Sequence, residues 1–149
     1  MSNILEVKNL TMHYETIDGD VDAVKNISFN VKAGESFGIV GESGCGKTSV
    51  AMSLLQLQAE NGKISNGSIL FDGIELVGMS ENDLRKVRWD GISIVFQGAM
   101  NAWNPVVKVG EQIREAMREH SPESTKLENT EKINELFSMV GLDSTVAER

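Results

Sequence analysis

The chain has 149 residues, 40% of them hydrophobic and 24% charged, with a formal net charge of −8. That length suffices for one well-buried core. The acidic balance, with no block of Lys and Arg, weighs against a nucleic-acid-binding surface. Its apolar runs are too short to cross a bilayer, it opens with no signal-peptide pattern, and its single Cys45 rules out an internal disulfide. The expected setting is a reducing cytosol, or a membrane reached only through a partner.

Residues 4–14 and 21–31 alternate apolar and polar side chains and predict two antiparallel strands joined by Ile17-Asp18-Gly19-Asp20. Ala33-Gly34 turns the chain into Phe37-Gly38-Ile39-Val40, an apolar run that predicts a buried strand. Residues 41–48 then read Gly-Glu-Ser-Gly-Cys-Gly-Lys-Thr, a complete phosphate-binding P-loop. Gly41, Gly44 and Gly46 let the backbone curl so that N–H groups face phosphate oxygens. A helix over 48–57, apolar at Val50, Ala51, Leu54, Leu55 and Leu57, would turn its positive end to the same anion. Lys47 suits the β- and γ-phosphates, and the Thr48 hydroxyl suits Mg²⁺. The candidate nucleotide-binding set is Gly41, Glu42, Ser43, Gly44, Cys45, Gly46, Lys47, Thr48 and Ser49. Cys45 either fills a permissive loop position or is a thiol whose alkylation blocks nucleotide; catalysis is not its role.

Asn61-Gly62-Lys63 and Asn66-Gly67 predict turns, and 67–72 a short strand ending at Asp72-Gly73. Ser80-Glu81-Asn82-Asp83 has capping-box spacing and opens a helix to about Trp89, which is expected in the core at that helix end. Residues 91–96 predict a strand that stops at Gln97. After Asn104-Pro105 the period becomes helical, with Val109, Ile113, Ala116 and Met117 on one face. Ser121-Pro122 is expected to start another helix with Pro at its first position, striped by Ile133, Leu136, Phe137 and Val140 and ended by Gly141. His13 and His120 have no partners at metal-ligand spacing and predict surface positions. The acids of 111–135 are expected to pair with Arg114, Arg118, Lys126 and Lys132.

Taken in order, Tyr14 at the end of the first strand, the segment 23–29, the P-loop, Gly67-Ser-Ile-Leu-Phe-Asp-Gly73 and Val95-Phe96-Gln97 resemble the ATP-binding subunit of an ABC transporter. Residues 98–105, Gly-Ala-Met-Asn-Ala-Trp-Asn-Pro, are similar to the di- and oligopeptide importer branch. The resemblance implies an α/β fold: a RecA-like P-loop NTPase core (35–61 and 90–97), an antiparallel β subdomain (1–34 and 62–78), and the start of a helical subdomain (98–149). It implies ATP and Mg²⁺ as cofactors, with Tyr14 stacked on adenine; the other reading of Tyr14 is a strand-end aromatic packed on the hairpin. Lys47 and Gln97 take the catalytic roles, and Thr48 and Gln97 hold the metal. Gln97 contacts metal and water and signals to the membrane subunits, and Trp103 either touches such a subunit or anchors its loop. The implied partners are a second ATP-binding subunit, like or unlike, transmembrane permease subunits and, through them, a solute-binding protein. The implied place is the cytoplasmic face of the membrane, held peripherally, powering import of peptides or a similar solute.

The family's signature loop, its Walker B strand ending in Asp-Glu and its switch histidine are not found. Ile69-Leu-Phe-Asp72 looks superficially like Walker B but is followed by Gly73 and precedes Gln97, so Asp72 is read as a turn former. The chain is therefore expected to be truncated within the helical subdomain, to bind nucleotide weakly or not at all, to hydrolyse it negligibly, and to expose the apolar flank of the Ile39 strand. The rival readings are a non-transport ABC ATPase and a non-catalytic nucleotide-binding fragment. A small P-loop kinase or GTPase would need an acceptor site or an Asn-Lys-x-Asp motif, and neither is present.

Overall fold

A computed structural model describes residues 2–88, 90–99 and 102–149. The expectation for Trp89, and Met100-Asn101 of the importer-like segment, lie outside the described residues. The chain divides into two units, one running to Ser93 and the other covering Ile94–Arg149.

The first unit is built on a four-stranded antiparallel sheet of order β2-β1-β3-β4. Its strands are β1 (Asn3–Thr16), β2 (Gly19–Lys32), β3 (Gly62–Phe71) and β4 (Ile74–Glu75). The expected hairpin forms, with Thr16 paired to Gly19 and the turn at Ile17-Asp18. Val7, Leu10 and Met12 of β1, Val24 of β2 and Ile69 of β3 are buried together with Leu76. Val7 and Leu10 have opposite parity, so strict alternation cannot put both inside. A bulge resolves this: Asn9 is left-handed (φ +50), and the register shifts between Val7 and Leu10. Ladder bonds are replaced by side chains there, the Ser28 hydroxyl accepting from Asn9 N–H (2.8 Å) and the Thr11 hydroxyl from Asn26 N–H (3.1 Å).

Gly67 answers the same bulge from β3. Its φ is +101, and a Cβ there would lie 2.6 Å from Leu10 Cα. The expected turn at Asn66-Gly67 is therefore a strand interior, because glycine serves a bulge as well as it serves a turn. Asn61-Gly62 does close a turn, Gly62 N–H donating to Ala59 O (2.7 Å), and β3 starts there. Asp72 (φ +47) and Gly73 (φ +78) form the tight link from β3 to β4, the turn role expected of Asp72.

Helix α1 (Lys47–Leu54) and helix α2 (Glu81–Val87) lie in this unit, burying Val50 and Leu84 in the shared core. Ser80 caps α2 as its spacing predicts, accepting from Asp83 N–H (3.3 Å) and donating to its carboxylate (2.7 Å). α1 stops before Leu57. It closes in a Schellman arrangement, with Leu57 N–H on Met52 O (2.9 Å) and Gln56 N–H on Ser53 O (3.1 Å). Gln56 takes the left-handed position at φ +52, a place that usually carries glycine.

The two strands expected at 37–40 and 91–96 do not form. Residues 35–42 have no regular structure, and Val40 is 96% exposed. Of 91–96 only a bridge between Ile92 and Arg88 appears, and Val95 is 89% exposed. An apolar run becomes a strand only when another strand pairs with it, and neither run is hydrogen-bonded into the four-stranded sheet. Phe37 is held instead by its ring, stacked on Phe29 of β2 with centroids 5.0 Å apart.

The second unit contains helix α3 (Val109–His120), helix α4 (Lys126–Met139) and a 3-10 helix (Ser144–Glu148). Ile133, Phe137 and Ala147 form its core, with Val109, Ile113 and Met117 of α3 packed against them. Ala116, expected on the same face, is not part of that cluster. α4 starts four residues later than Ser121-Pro122 suggested. Thr125 accepts from Glu128 N–H (3.3 Å), and the Glu128 carboxylate accepts from Thr125 N–H (2.7 Å), a full capping box that outcompetes proline. Leu136 and Val140 are exposed, since the buried face follows Asn129, Ile133 and Phe137 at four-residue steps. Gly141 (φ +73) ends α4 as expected. Arg114 pairs with Glu111 and Lys132 with Glu135; the second pair lies on the solvated face predicted for this region, whereas the Arg114 side chain is only 14% exposed.

Candidate functional site

The P-loop enters from Phe37 and leaves as α1. Gly44 and Gly46 are left-handed (φ +82 and +91), so the backbone curls as the spacing predicts. Gly46 is also the N-cap of α1, and a Cβ on it would stand 2.2 Å from Ala23 O of β2. Glycine is thus required twice at this position, by the dihedral and by the close approach of the loop to the sheet. No side chain caps α1, and its first turn holds no acid. The first N–H groups and the positive end of the dipole are therefore left for an external anion.

Lys47 crosses the loop it belongs to. Its ammonium donates to Gly41 O (2.8 Å), Glu42 O (2.6 Å) and Cys45 Sγ (3.5 Å). An ammonium has three donors, so an incoming phosphate must displace one of these contacts. The thiol is the weakest acceptor and the one most readily given up. Glu42, Ser43, Cys45 and Thr48 are exposed along the loop, with Thr48 in the first turn of α1. Ser49 is half-buried, its hydroxyl 3.2 Å from that of Tyr14 at the end of β1.

One unit therefore gathers Tyr14, the whole loop, Lys47, Thr48 and Ser49. Gln97 belongs to the other unit, where it is exposed just before the left-handed Gly98. Trp103 is exposed in the loop that follows. That loop is fastened by Gln112, which accepts from Asn104 N–H (2.9 Å) and donates to Asn104 O (3.0 Å) and Val107 O (2.8 Å). His13, expected on the surface, is mostly covered and lies 3.7 Å from the Asp20 carboxylate across the hairpin.

The arrangement fits a polyphosphate: a glycine-curled main chain, uncapped amides and one ammonium. For a divalent cation the fit is partial. Among the described residues no cluster of three His, Cys, Asp or Glu could hold a metal. The Thr48 hydroxyl would supply one oxygen, leaving the rest to phosphate and water. Sequence reasoning missed the Ala23 carbonyl that lies against Gly46. It carries no local signal, because the contact joins residues more than twenty positions apart.

The ABC transporter family profile matches residues 24–149. The chain belongs to the ABC transporter family. It is 37% identical over 139 residues to the dipeptide transport ATP-binding protein DppD of Lactococcus lactis, covering 93% of this chain and 40% of that protein. It is 39% identical over 150 residues to the oligopeptide transport ATP-binding protein OppD of Haemophilus influenzae, covering 95% of this chain and 46% of that protein. Among solved structures it resembles a dimeric, post-hydrolysis ATP-binding cassette, MJ0796, bound to ADP and phosphate. The TM-score is 0.80 at 26% identity, covering 96% of this chain and 60% of the other. The chain thus spans under half the length of these two relatives, and it carries an ABC ATPase cassette fold over the part that it shares. No helix among the described residues is long and apolar enough to cross a membrane.

Proposed function

We propose that this ABC family chain is the nucleotide-gripping portion of an ATP-binding subunit that powers import of di- or oligopeptides. The observation that carries the reading is the Lys47 ammonium lying over a loop of left-handed glycines at an uncapped helix start. The peptide assignment is supported by the names of the relatives and by residues 98–105.

In this reading the loop N–H groups and Lys47 bind the phosphates of ATP, Thr48 offers an oxygen to Mg²⁺, Ser49 extends the anion site, and Tyr14 supplies a platform for the base. Gln97 contributes to the metal and water and carries the signal to permease subunits. When bound, Mg²⁺ neutralises phosphate charge. A second ATP-binding subunit, like or unlike, completes the catalytic assembly. The assembly sits peripherally on the cytoplasmic face, with permeases and a solute-binding protein beyond it. The β part is formed by 1–34 and 62–78, the core part by 35–61 and 90–97, and the helical part by 98–149.

We further propose that these 149 residues alone hydrolyse ATP negligibly, because the signature loop, the Walker B acids and the switch histidine are not among them. Calorimetric titration with MgATP tests the grip. Saturable heat is expected from the intact subunit, weakened roughly a hundredfold by Lys47→Ala, or about 3 kcal/mol for a charge-assisted contact. No Mg-dependent heat from the intact subunit would overturn the reading. Lys47-dependent turnover by this chain alone would overturn the second proposal.

A further inference from the structure

The carbonyl end of the P-loop helix is closed by a residue more than thirty positions away. α1 is eight residues long and has no basic side chain in its last turn. Met52 O and Ser53 O are satisfied by the Schellman bonds, but Leu55 O and Gln56 O lie beyond them. Arg88, at the C-cap of α2, takes both: Nε–H donates to Leu55 O (2.8 Å) and Nη2–H to Gln56 O (2.9 Å). Its third edge, Nη1, donates to the Glu81 carboxylate at 2.7 Å. The Arg88 side chain is only 18% exposed. The planar fork thus spans two carbonyls at the negative end of one helix and an acid in the first turn of another.

We propose that Arg88 is a positioning residue of the phosphate site, aimed by Glu81, and that it holds α1 so that Lys47, Thr48 and the loop amides keep their anion-binding arrangement. The inference rests on the loop being the nucleotide grip. A helix of two turns is marginal by itself. Within its span only Val50 and Ser53 are buried; Leu54 packs against the core and Leu55 is buried at its C-cap, so Arg88 acts beside a short apolar anchor. Its exit depends on Gln56 in a left-handed conformation that a non-glycine residue adopts at a cost. At the other end Gly46 rests on Ala23 O. The helix is therefore pinned by contact with β2 at its start and by Arg88 at its finish. Release of the second pin frays the last turn, and in eight residues that disorder reaches the first.

Arg88→Lys keeps the charge but cannot reach three acceptors in a fork. Glu81→Gln keeps the arginine and removes the charge that aims it. Three measurements on each variant decide the matter: thermal melting, amide hydrogen exchange and MgATP titration. For Arg88→Lys we expect exchange at residues 50–54 to rise at least tenfold while Val7, Leu10 and Met12 of the sheet are unchanged, with MgATP affinity about tenfold lower. Glu81→Gln should show the same pattern at about threefold, and it serves if the lysine variant does not fold. An arginine that only stabilised the fold would speed exchange everywhere alike and leave the affinity of the folded protein untouched; that result overturns the proposal, as does unchanged exchange at residues 50–54. The titration uses the intact subunit; should that unsubstituted protein bind no MgATP, the nucleotide reading falls while the exchange pattern still decides the role of Arg88.

Discussion

The hydroxyl of Tyr14 at the end of β1 lies 3.2 Å from the hydroxyl of Ser49 in the first turn of α1. This bond ties the sheet to the phosphate-binding end of the helix, and it is partly shielded from water. Tyr14→Phe keeps the ring and loses the bond, which should cost about 1 kcal/mol of stability and only a few-fold in MgATP affinity. Tyr14→Ala also loses the ring and should weaken binding more than tenfold if the ring stacks on adenine. Melting and nucleotide titration of the pair separate the two contributions; equal affinities for the two variants would remove the base platform from the account.

Gly46 and Gly44 should respond differently to alanine. At Gly46 the new methyl group meets Ala23 O as well as a left-handed dihedral, and a loss of about 2–4 kcal/mol is expected. At Gly44 nothing lies within 4 Å of the added Cβ, so only the dihedral cost of about 1 kcal/mol applies. Denaturant midpoints of the two variants test this order. Equal losses would mean that the approach to β2 is not what demands glycine at Gly46.

Cys45 is exposed, with its sulfur 3.5 Å from the Lys47 ammonium. A carbamidomethyl group on that sulfur would fill the mouth of the loop. Complete alkylation should abolish MgATP binding, and saturating MgATP should slow the alkylation. Full affinity after quantitative modification, measured by mass spectrometry and titration, would leave Cys45 a mere spacer.

Acid should weaken the capped helices in a defined window. Bonds from the Thr125 N–H first, and then its hydroxyl, hold the Glu128 carboxyl below its ordinary 4.5. The Lys86 ammonium first, and then the Ser80 hydroxyl, hold Asp83 below 3.8. Both pKa values are depressed in the folded state, so their stabilisation is complete above the unfolded values and is lost as pH falls through the folded ones. Circular dichroism should show helix loss beginning below about pH 4.5, and Glu128→Gln should flatten the α4 part of that loss. Thr125→Ala should cost about 1 kcal/mol at neutral pH. A pH-independent melting temperature from 7 to 3 would contradict the capping argument.

The P-loop was legible because its pattern is local: the glycines, the lysine and the hydroxyl fall within eight positions, and Gly44 and Gly46 take the left-handed turns that pattern predicts. The β1–β2 hairpin was legible for the same reason, through alternation and an Asp-Gly turn. Gly67 misled because bulges and turns ask for the same residue. Ser121-Pro122 misled because the stronger box at Thr125 and Glu128 competes for the same helix start. The end of α1 was hidden because glutamine, not glycine, occupies its left-handed exit. Phe37–Val40 and 91–96 read as strands because they are apolar, but pairing is a property of two segments, and one segment cannot report its neighbour. Arg88 was silent because nothing near it in the chain hints at the carbonyls of Leu55 and Gln56.

The unpaired run at Phe37–Val40 also bears on biogenesis. The hairpin before it closes through contacts between near neighbours and can form early, whereas Val40 stays bare beside it. A ribosome delivering this polypeptide would thus display a finished ribbon followed by a sticky, open segment, the kind of stretch that holdase chaperones capture. Crosslinking of stalled nascent chains should find trigger-factor-like contacts over 37–40 and few over 4–14; the reverse distribution would show that the ribbon, and not the run after it, is the adhesive part.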